Sequence, residues 1–196
     1  MERGTATERR APAPGGAATK ARIIDAAEEV VLRDGVARLT LDAAAAEAGL
    51  SKGGVLYHFP SRDALVAGMV DKIIDEFDHD IEAGLQNDEG AGSFTRAYIR
   101  ATMAPSSPRP DREDRLGAAL IAAAAAEPAL LVPLQLAADR WQAHLEHDGL
   151  DPTLATVLRL ACDGLWMCDL FGLAPPPAAL RAELGIKLHG LVGRPS

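Results

Sequence analysis

Between residues 40 and 65 the chain gathers hydroxyl, ammonium, phenol, imidazole and guanidinium groups at close spacing. They are Thr40, Ser51, Lys52, Tyr57, His58 and Arg62, with Gly53 and Gly54 among them. Such groups hold phosphate oxygens or read base edges. None stands as a nucleophile beside a base and an orienting acid, here or elsewhere, and no glycine-rich phosphate loop follows a strand. Catalysis is therefore not expected, nor is a cofactor. Cys162 and Cys168 lie six residues apart in a helical segment. Their Cα atoms would sit roughly 9 Å apart, beyond the ~7 Å reach of a disulfide, so they read as small core residues. His144 and His147 have a spacing that permits shared metal ligation. They also end a helix, where histidine complements the dipole, and no metal site is expected.

The elements around these groups are legible. Thr40 caps a helix over Leu41–Ala48, Gly49 supplies a left-handed turn, and Ser51 caps a second helix over Lys52–His58. Pro60 forbids continuation and Ser61 starts the next helix. Ala44, Ala45 and Ala48 let the two helices cross closely, while Leu50, Val55 and Phe59 fill the core beneath. Gly53 and Gly54 each cost about 1 kcal/mol in a helix, and close approach of bare backbone to DNA is a reason to keep them. The exposed N–H groups after Ser51 also favour a phosphate. Two short helices joined by a tight turn are what lays one helix in the major groove.

Residues 51–65, Ser-Lys-Gly-Gly-Val-Leu-Tyr-His-Phe-Pro-Ser-Arg-Asp-Ala-Leu, together with the preceding Ala-Glu-Ala-Gly-Leu, resemble the signature of the TetR family of bacterial transcriptional repressors. The resemblance covers residues 19 to about 66. It implies a nine-helix fold: a three-helix DNA module, a connecting fourth helix, and a C-terminal ligand and dimerisation domain. It also implies DNA-contacting positions at Thr40, Lys52, Gly53, Tyr57, His58 and Arg62. Two residues depart from the family pattern. Many members place a tyrosine where Leu56 stands and a threonine or asparagine where Gly54 stands, so base readout here rests on few side chains.

Composition sets the frame. Alanine and leucine dominate the 196 residues, aromatics are few, and no alternating β-branched runs occur, which predicts an all-α protein. The net charge of −8 is unevenly spread. Residues 1–62 carry nine Lys/Arg against eight Asp/Glu, or +1; the remainder carries eleven against twenty, or −9. The acidic part repels phosphate, so DNA binding must use a few aimed contacts. No apolar run reaches the ~18 residues of a membrane span, and the first ten residues lack the apolar centre of a signal peptide. Cytoplasmic residence and no membrane partner are expected.

Residues 1–17, rich in Ala, Pro, Gly and Arg, read as a disordered arm. Residues 18–64 form the DNA-binding module and 65–196 the ligand-binding and dimerisation domain. Thr19 is expected to cap the first helix, which buries Ile23, Ala27, Val30 and Val31 and ends at Gly35. The fourth helix repeats Leu65, Met69, Ile73, Phe77, Ile81 and Leu85 every four residues, opposite an acidic face. Its ~24 residues make a rod of about 36 Å. After a break at Asn87–Gly92, helices are expected over 93–104, 111–126, 129–146 and 151–171. Pro105–Pro110 reads as a linker, and a ninth helix follows Pro175–Pro177 to about Val192.

The eighth helix is apolar nearly all round, so it must be buried on every side. One side faces its own domain. The other is expected to face a second subunit, with Leu180, Leu184, Leu188 and Leu191 of the ninth helix, giving a symmetric homodimer. Tyr98, Met103, Trp141, Trp166, Met167 and Phe171 are ligand-pocket candidates, with Asp163 and Asp169 as acidic partners for a cationic ligand. Arg159 and Asp163, at i,i+4, can instead pair with each other. The reading is a homodimeric repressor bound to a palindromic or pseudo-palindromic double-stranded operator and released by a small hydrophobic effector. The alternatives are a helical small-molecule-binding protein with a vestigial DNA module, an enzyme built on the helical domain, and a regulator answering to a protein partner.

Overall fold

The computed structural model describes residues 14–103, 115–121, 123 and 127–193. The expected arm over 1–13 and the Pro105–Pro110 linker lie outside these. Nine α-helices occur among the described residues: α1 (Pro14–Asp34), α2 (Leu41–Ala48), α3 (Lys52–His58), α4 (Arg62–Leu85), α5 (Ser93–Met103), α6 (residues 115–121), α7 (Val132–Glu146), α8 (Pro152–Phe171) and α9 (Ala178–Val192). No strand is found among them. None of these helices is long and apolar enough to cross a membrane.

Two helix starts differ from expectation, both through proline. α1 begins at Pro14, not after Thr19. Proline suits the first helical turn, where no N–H is needed. Thr19 lies inside the helix, and its hydroxyl donates to the carbonyl of Gly15 at 2.8 Å. Residues 14–17 are thus helical rather than part of a disordered arm. α7 begins at Val132 because Pro128–Leu131 forms a 3₁₀ turn. Pro133 has no N–H to return to Ala129, so an α-helix gains nothing by starting earlier.

α4 is the element on which the molecule is built. Its first half, Leu65, Val66 and Met69, packs into one core with Ile23, Ala27 and Val30 of α1, Val55 and Phe59 of the α3 region, and Leu116 and Leu120 of α6. Its second half, Ile74 and Ile81, packs into another with Ala97, Tyr98 and Ile99 of α5, Trp141 of α7, Leu158 and Cys162 of α8 and Leu188 of α9. Val70 touches both cores. Each fully buried side chain of this size contributes roughly 1.5–3 kcal/mol. One rod therefore contributes to two separately packed cores.

Ion pairs fix the rod near its middle and just past its C-terminal end. The Lys72 ammonium on α4 lies 2.8 Å from Asp25 and 2.9 Å from Glu28 of α1. Past the end of α4, Asp88 accepts from Arg96 at 2.6 Å and Arg100 at 3.0 Å. These bonds hold the Asp88 carboxyl at about 2, against a burial that opposes ionisation. Asp148, from the α7–α8 loop, caps α5 by accepting from the backbone N–H of Phe94 and Thr95. Both cysteines are free, with Cys162 buried and its thiol pushed up to about 11 by that burial.

Candidate nucleic-acid interface

The α2–α3 unit is fixed by backbone geometry. Thr40 is extended, and its hydroxyl accepts the Ala43 N–H at 3.0 Å. α2 ends on Gly49 at φ 64°, ψ 36°, a left-handed conformation that costs most residues roughly 1–2 kcal/mol. The Leu50 N–H then returns to Ala45 O at 2.9 Å, and the Ser51 hydroxyl accepts the Gly54 N–H at 3.1 Å. Thr40 and Ser51 thus set the starts of α2 and α3, and their side-chain oxygens are occupied within the protein.

α3 turns Val55 fully inward, and Phe59 behind it is also buried. The Phe59 ring lies so close to Gly68 of α4 that a Cβ there would stand 2.7 Å from it. This contact seats the end of α3 directly on the rod. The opposite face of α3 is open. Tyr57 is 85% exposed and Leu56 40% exposed. A Cβ on Gly53 or Gly54 would meet nothing nearer than the Ser51 hydroxyl, at 4.0 and 3.5 Å. Packing inside the protein therefore does not require either glycine. His58, half-buried, meets Tyr57 edge-on at 5.1 Å.

The charged candidates separate. Lys52 is exposed and paired with Asp42 of α2 at 2.8 Å. Arg62, 38% exposed, bonds to backbone: its Nε donates to Leu39 O at 3.1 Å and its Nη2 to Val36 O at 3.0 Å. Both carbonyls belong to the turn before α2, so in this structure Arg62 ties α4 to that turn. Two basic residues of α1 that sequence reasoning did not single out stand beside this unit. The Arg22 guanidinium donates to Ala48 O at 2.9 Å, at the α2 C-terminus, and the Lys20 ammonium lies 5.9 Å from the centre of the Phe59 ring. Both follow Thr19 by one to three residues, but only the packing of α1 on α2 shows which way they point.

The ligand candidates do not converge. Tyr98, Trp141 and Asp163 come together in the second core. The Tyr98 hydroxyl donates to Asp163 at 2.7 Å, and Arg159 pairs with the other Asp163 oxygen at 2.7 Å. Phe77 of α4 stands edge-on to Tyr98 at 5.2 Å and to Trp141 at 5.0 Å. The Trp141 indole N–H donates to Asp78 of α4 at 2.7 Å, and Asp78 also pairs with Arg140. Burial first, then Asp163, raises the Tyr98 hydroxyl well above its usual range. Met103 packs against Gly185 of α9. Met167 and Phe171, by contrast, are 39–40% exposed on the outer side of α8 with Val157 and Leu160, while Trp166, 37% exposed, stands on a different face of that helix. Asp169 is taken up by Arg181 at 2.6 Å.

Two open grooves occur among the described residues, and none of those ligand candidates except Asp169 lines them. One, of about 530 Å³, runs between Val31 and Leu32 of α1, Arg115 and Ala119 of α6, and Asp169 and Leu170 of α8. The other, of about 410 Å³, lies beside Phe94, His144 and His147. His144 stacks on Phe94 and His147 bonds to Ala143 O, so each has a partner. No group of three potential metal ligands occurs among the described residues.

Comparison with known proteins gives this geometry a context. Residues 23–69 match the model for bacterial regulatory proteins of the tetR family, and residues 92–193 match that for the tetracyclin repressor-like C-terminal domain. The HTH-type transcriptional regulator TtgR of Pseudomonas putida is 38% identical over 71 residues, which are 36% of this chain and 34% of that protein. The chain thus aligns with about a third of the length of the curated relatives it matches. A member of the TetR family from Streptomyces coelicolor A3 superposes with a TM-score of 0.66 at 27% identity, covering 87% of this chain and 97% of that one. The multidrug binding protein EbrR complexed with ethidium does so with a TM-score of 0.66 at 26% identity, covering 87% and 98%.

Proposed function

Since the chain belongs to the TetR family of bacterial regulatory proteins and is a transcriptional regulator, we propose that it acts as a homodimeric repressor released from its operator by a small hydrophobic effector. The observation that carries the DNA half is the open face of α3. Gly53, Gly54, Leu56 and Tyr57 stand outward from a helix whose other side is locked to α4 by Phe59 and Gly68. Tyr57 and His58 supply phosphate contacts, Lys52 a third once it leaves Asp42, and the bare backbone at Gly53–Gly54 permits close approach. Thr40 and Ser51 act by placing the two helices. The DNA module ends near residue 64, and the rest forms the effector and dimerisation domain.

Dimerisation follows from the apolar outer strip of α8 (Val157, Leu160, Met167, Phe171), continued by Leu180 and Leu191 of α9. Leu188 of α9, expected in that interface, is instead buried inside its own subunit. Met167 and Phe171 fit this strip better than a pocket. A two-fold dimer then matches a two-fold operator.

The effector site proposed is the aromatic core of Phe77, Tyr98 and Trp141, a chemistry suited to flat hydrophobic molecules such as the ethidium and malachite green bound by EbrR. Asp78 links that core to α4, so a ligand that parts Trp141 from Asp78 also frees the rod. To invert operator occupancy, it must favour the released state by about 5.5 kcal/mol. Selection of bound duplexes from a random library, followed by fluorescence anisotropy with malachite green titrated in and a dye-only duplex control, tests both halves. A preferred sequence released by the dye supports the reading; binding without preference contradicts it.

A further inference from the structure

Leu56 is the apolar side chain on the open face of α3, and it stands beside backbone stripped of side chains. At about 100° per residue, Val55 points into the core, while Gly53 and Tyr57 lie roughly opposite and Leu56 flanks them. A helical leucine leans back over the turn that precedes it, here Lys52 and Gly53. Gly53 offers nothing to cover it, and Leu56 remains 40% exposed although the first core lies one residue away. A single exposed leucine is ordinary. One lying along a glycine strip, on the helix offered to DNA, presents its methyl groups where the bases come nearest.

The major groove has one apolar feature, the C5-methyl group of thymine. We infer that Leu56 is a specificity-determining residue that packs on a thymine methyl in each half-site. This deepens the proposed DNA reading and rests on it. Lys52 and Tyr57 bring charge and hydrogen bonding to the backbone, which carry no sequence information. With glycine at 53 and 54, Leu56 is left as the outward side chain that can tell a T·A pair from a C·G pair by shape.

The test deletes the methyl from the DNA. In the duplex selected by the full-length protein, each thymine is replaced in turn by uracil, which keeps every hydrogen-bonding group. Wild-type affinity should fall roughly three- to fivefold at one or two positions per half-site, as expected for loss of one buried methyl group. Leu56→Ala should bind more weakly and be indifferent to uracil at those positions, whereas Leu56→Met should retain the dependence. Circular dichroism of both variants confirms an intact fold. Equal uracil sensitivity in the wild type and Leu56→Ala, or none in the wild type, overturns the inference while leaving DNA reading in place. A library that returns no preferred sequence overturns both.

Discussion

The Nε of Arg62 lies 3.1 Å from the carbonyl oxygen of Leu39, so the first residue of α4 holds the turn that leads into α2. With Nη2 on Val36 O, which also accepts the Leu39 N–H, the planar guanidinium serves two carbonyls around the short 3₁₀ turn. Lysine has no such fork. Arg62→Ala and Arg62→Lys should each lower stability by on the order of 1–2 kcal/mol. They should also weaken DNA binding while leaving its salt dependence unchanged. A phosphate contact would behave otherwise: its loss lowers the slope of log K against log salt by about 0.9. Thermal melts and anisotropy at four salt concentrations separate the two roles.

Gly53 and Gly54 set stability against function. Each has room for a methyl group within the protein. Gly53→Ala and Gly54→Ala should each stabilise by about 1 kcal/mol, raising Tm by roughly 2–4 °C. Operator affinity should fall at least tenfold, because the added Cβ stands off the DNA. Melting together with anisotropy checks this pair of outcomes, and unchanged affinity would remove the close-approach role.

The acid limb of stability should run through Asp88. Its carboxyl is held at about 2 by Arg96 and Arg100, below the ordinary value of 3.8. A depressed carboxylate stabilises the fold fully above its unfolded pKa and loses that contribution as pH falls from about 4 through 2. Asp88→Asn should cost on the order of 1–2 kcal/mol at pH 7, after allowance for solvent screening, and flatten the stability curve over that window. Urea melts at pH 2.5, 4 and 7 measure both effects.

The outer strip of α8 should control assembly. Leu160→Glu combined with Met167→Glu places charge on an exposed apolar surface, so the monomer fold is spared. Sedimentation velocity at micromolar concentration should show a dimer for the wild type and a monomer for the variant. A dimer in both would move the interface elsewhere.

The elements around α3 are readable in the sequence because capping is local chemistry. Thr40, Ser51 and Ser61 accept the N–H three residues on, as their positions in the sequence require. What escapes is direction. Arg62 and Lys52 look alike as charges in a motif, and only the fold turns one toward backbone carbonyls. Trp166 and Trp141 look alike as candidate pocket residues. One is 37% exposed on α8, the other lies in a core shared with α4, α5 and α8. Helix periodicity marks α8 as apolar on all sides, yet it cannot divide inner from outer faces. The start of α1 is hidden because the glycines after Pro14 mask a helical turn.

Footprinting of the wild-type protein and Tyr57→Ala on the selected operator bears most directly on the proposal that α3 reads DNA as a symmetric pair. Two protected half-sites, related by two-fold symmetry and separated by a whole number of helical turns, are expected for the wild type. Both should weaken together in Tyr57→Ala. Protection without two-fold symmetry, or protection that survives Tyr57→Ala unchanged, would contradict it.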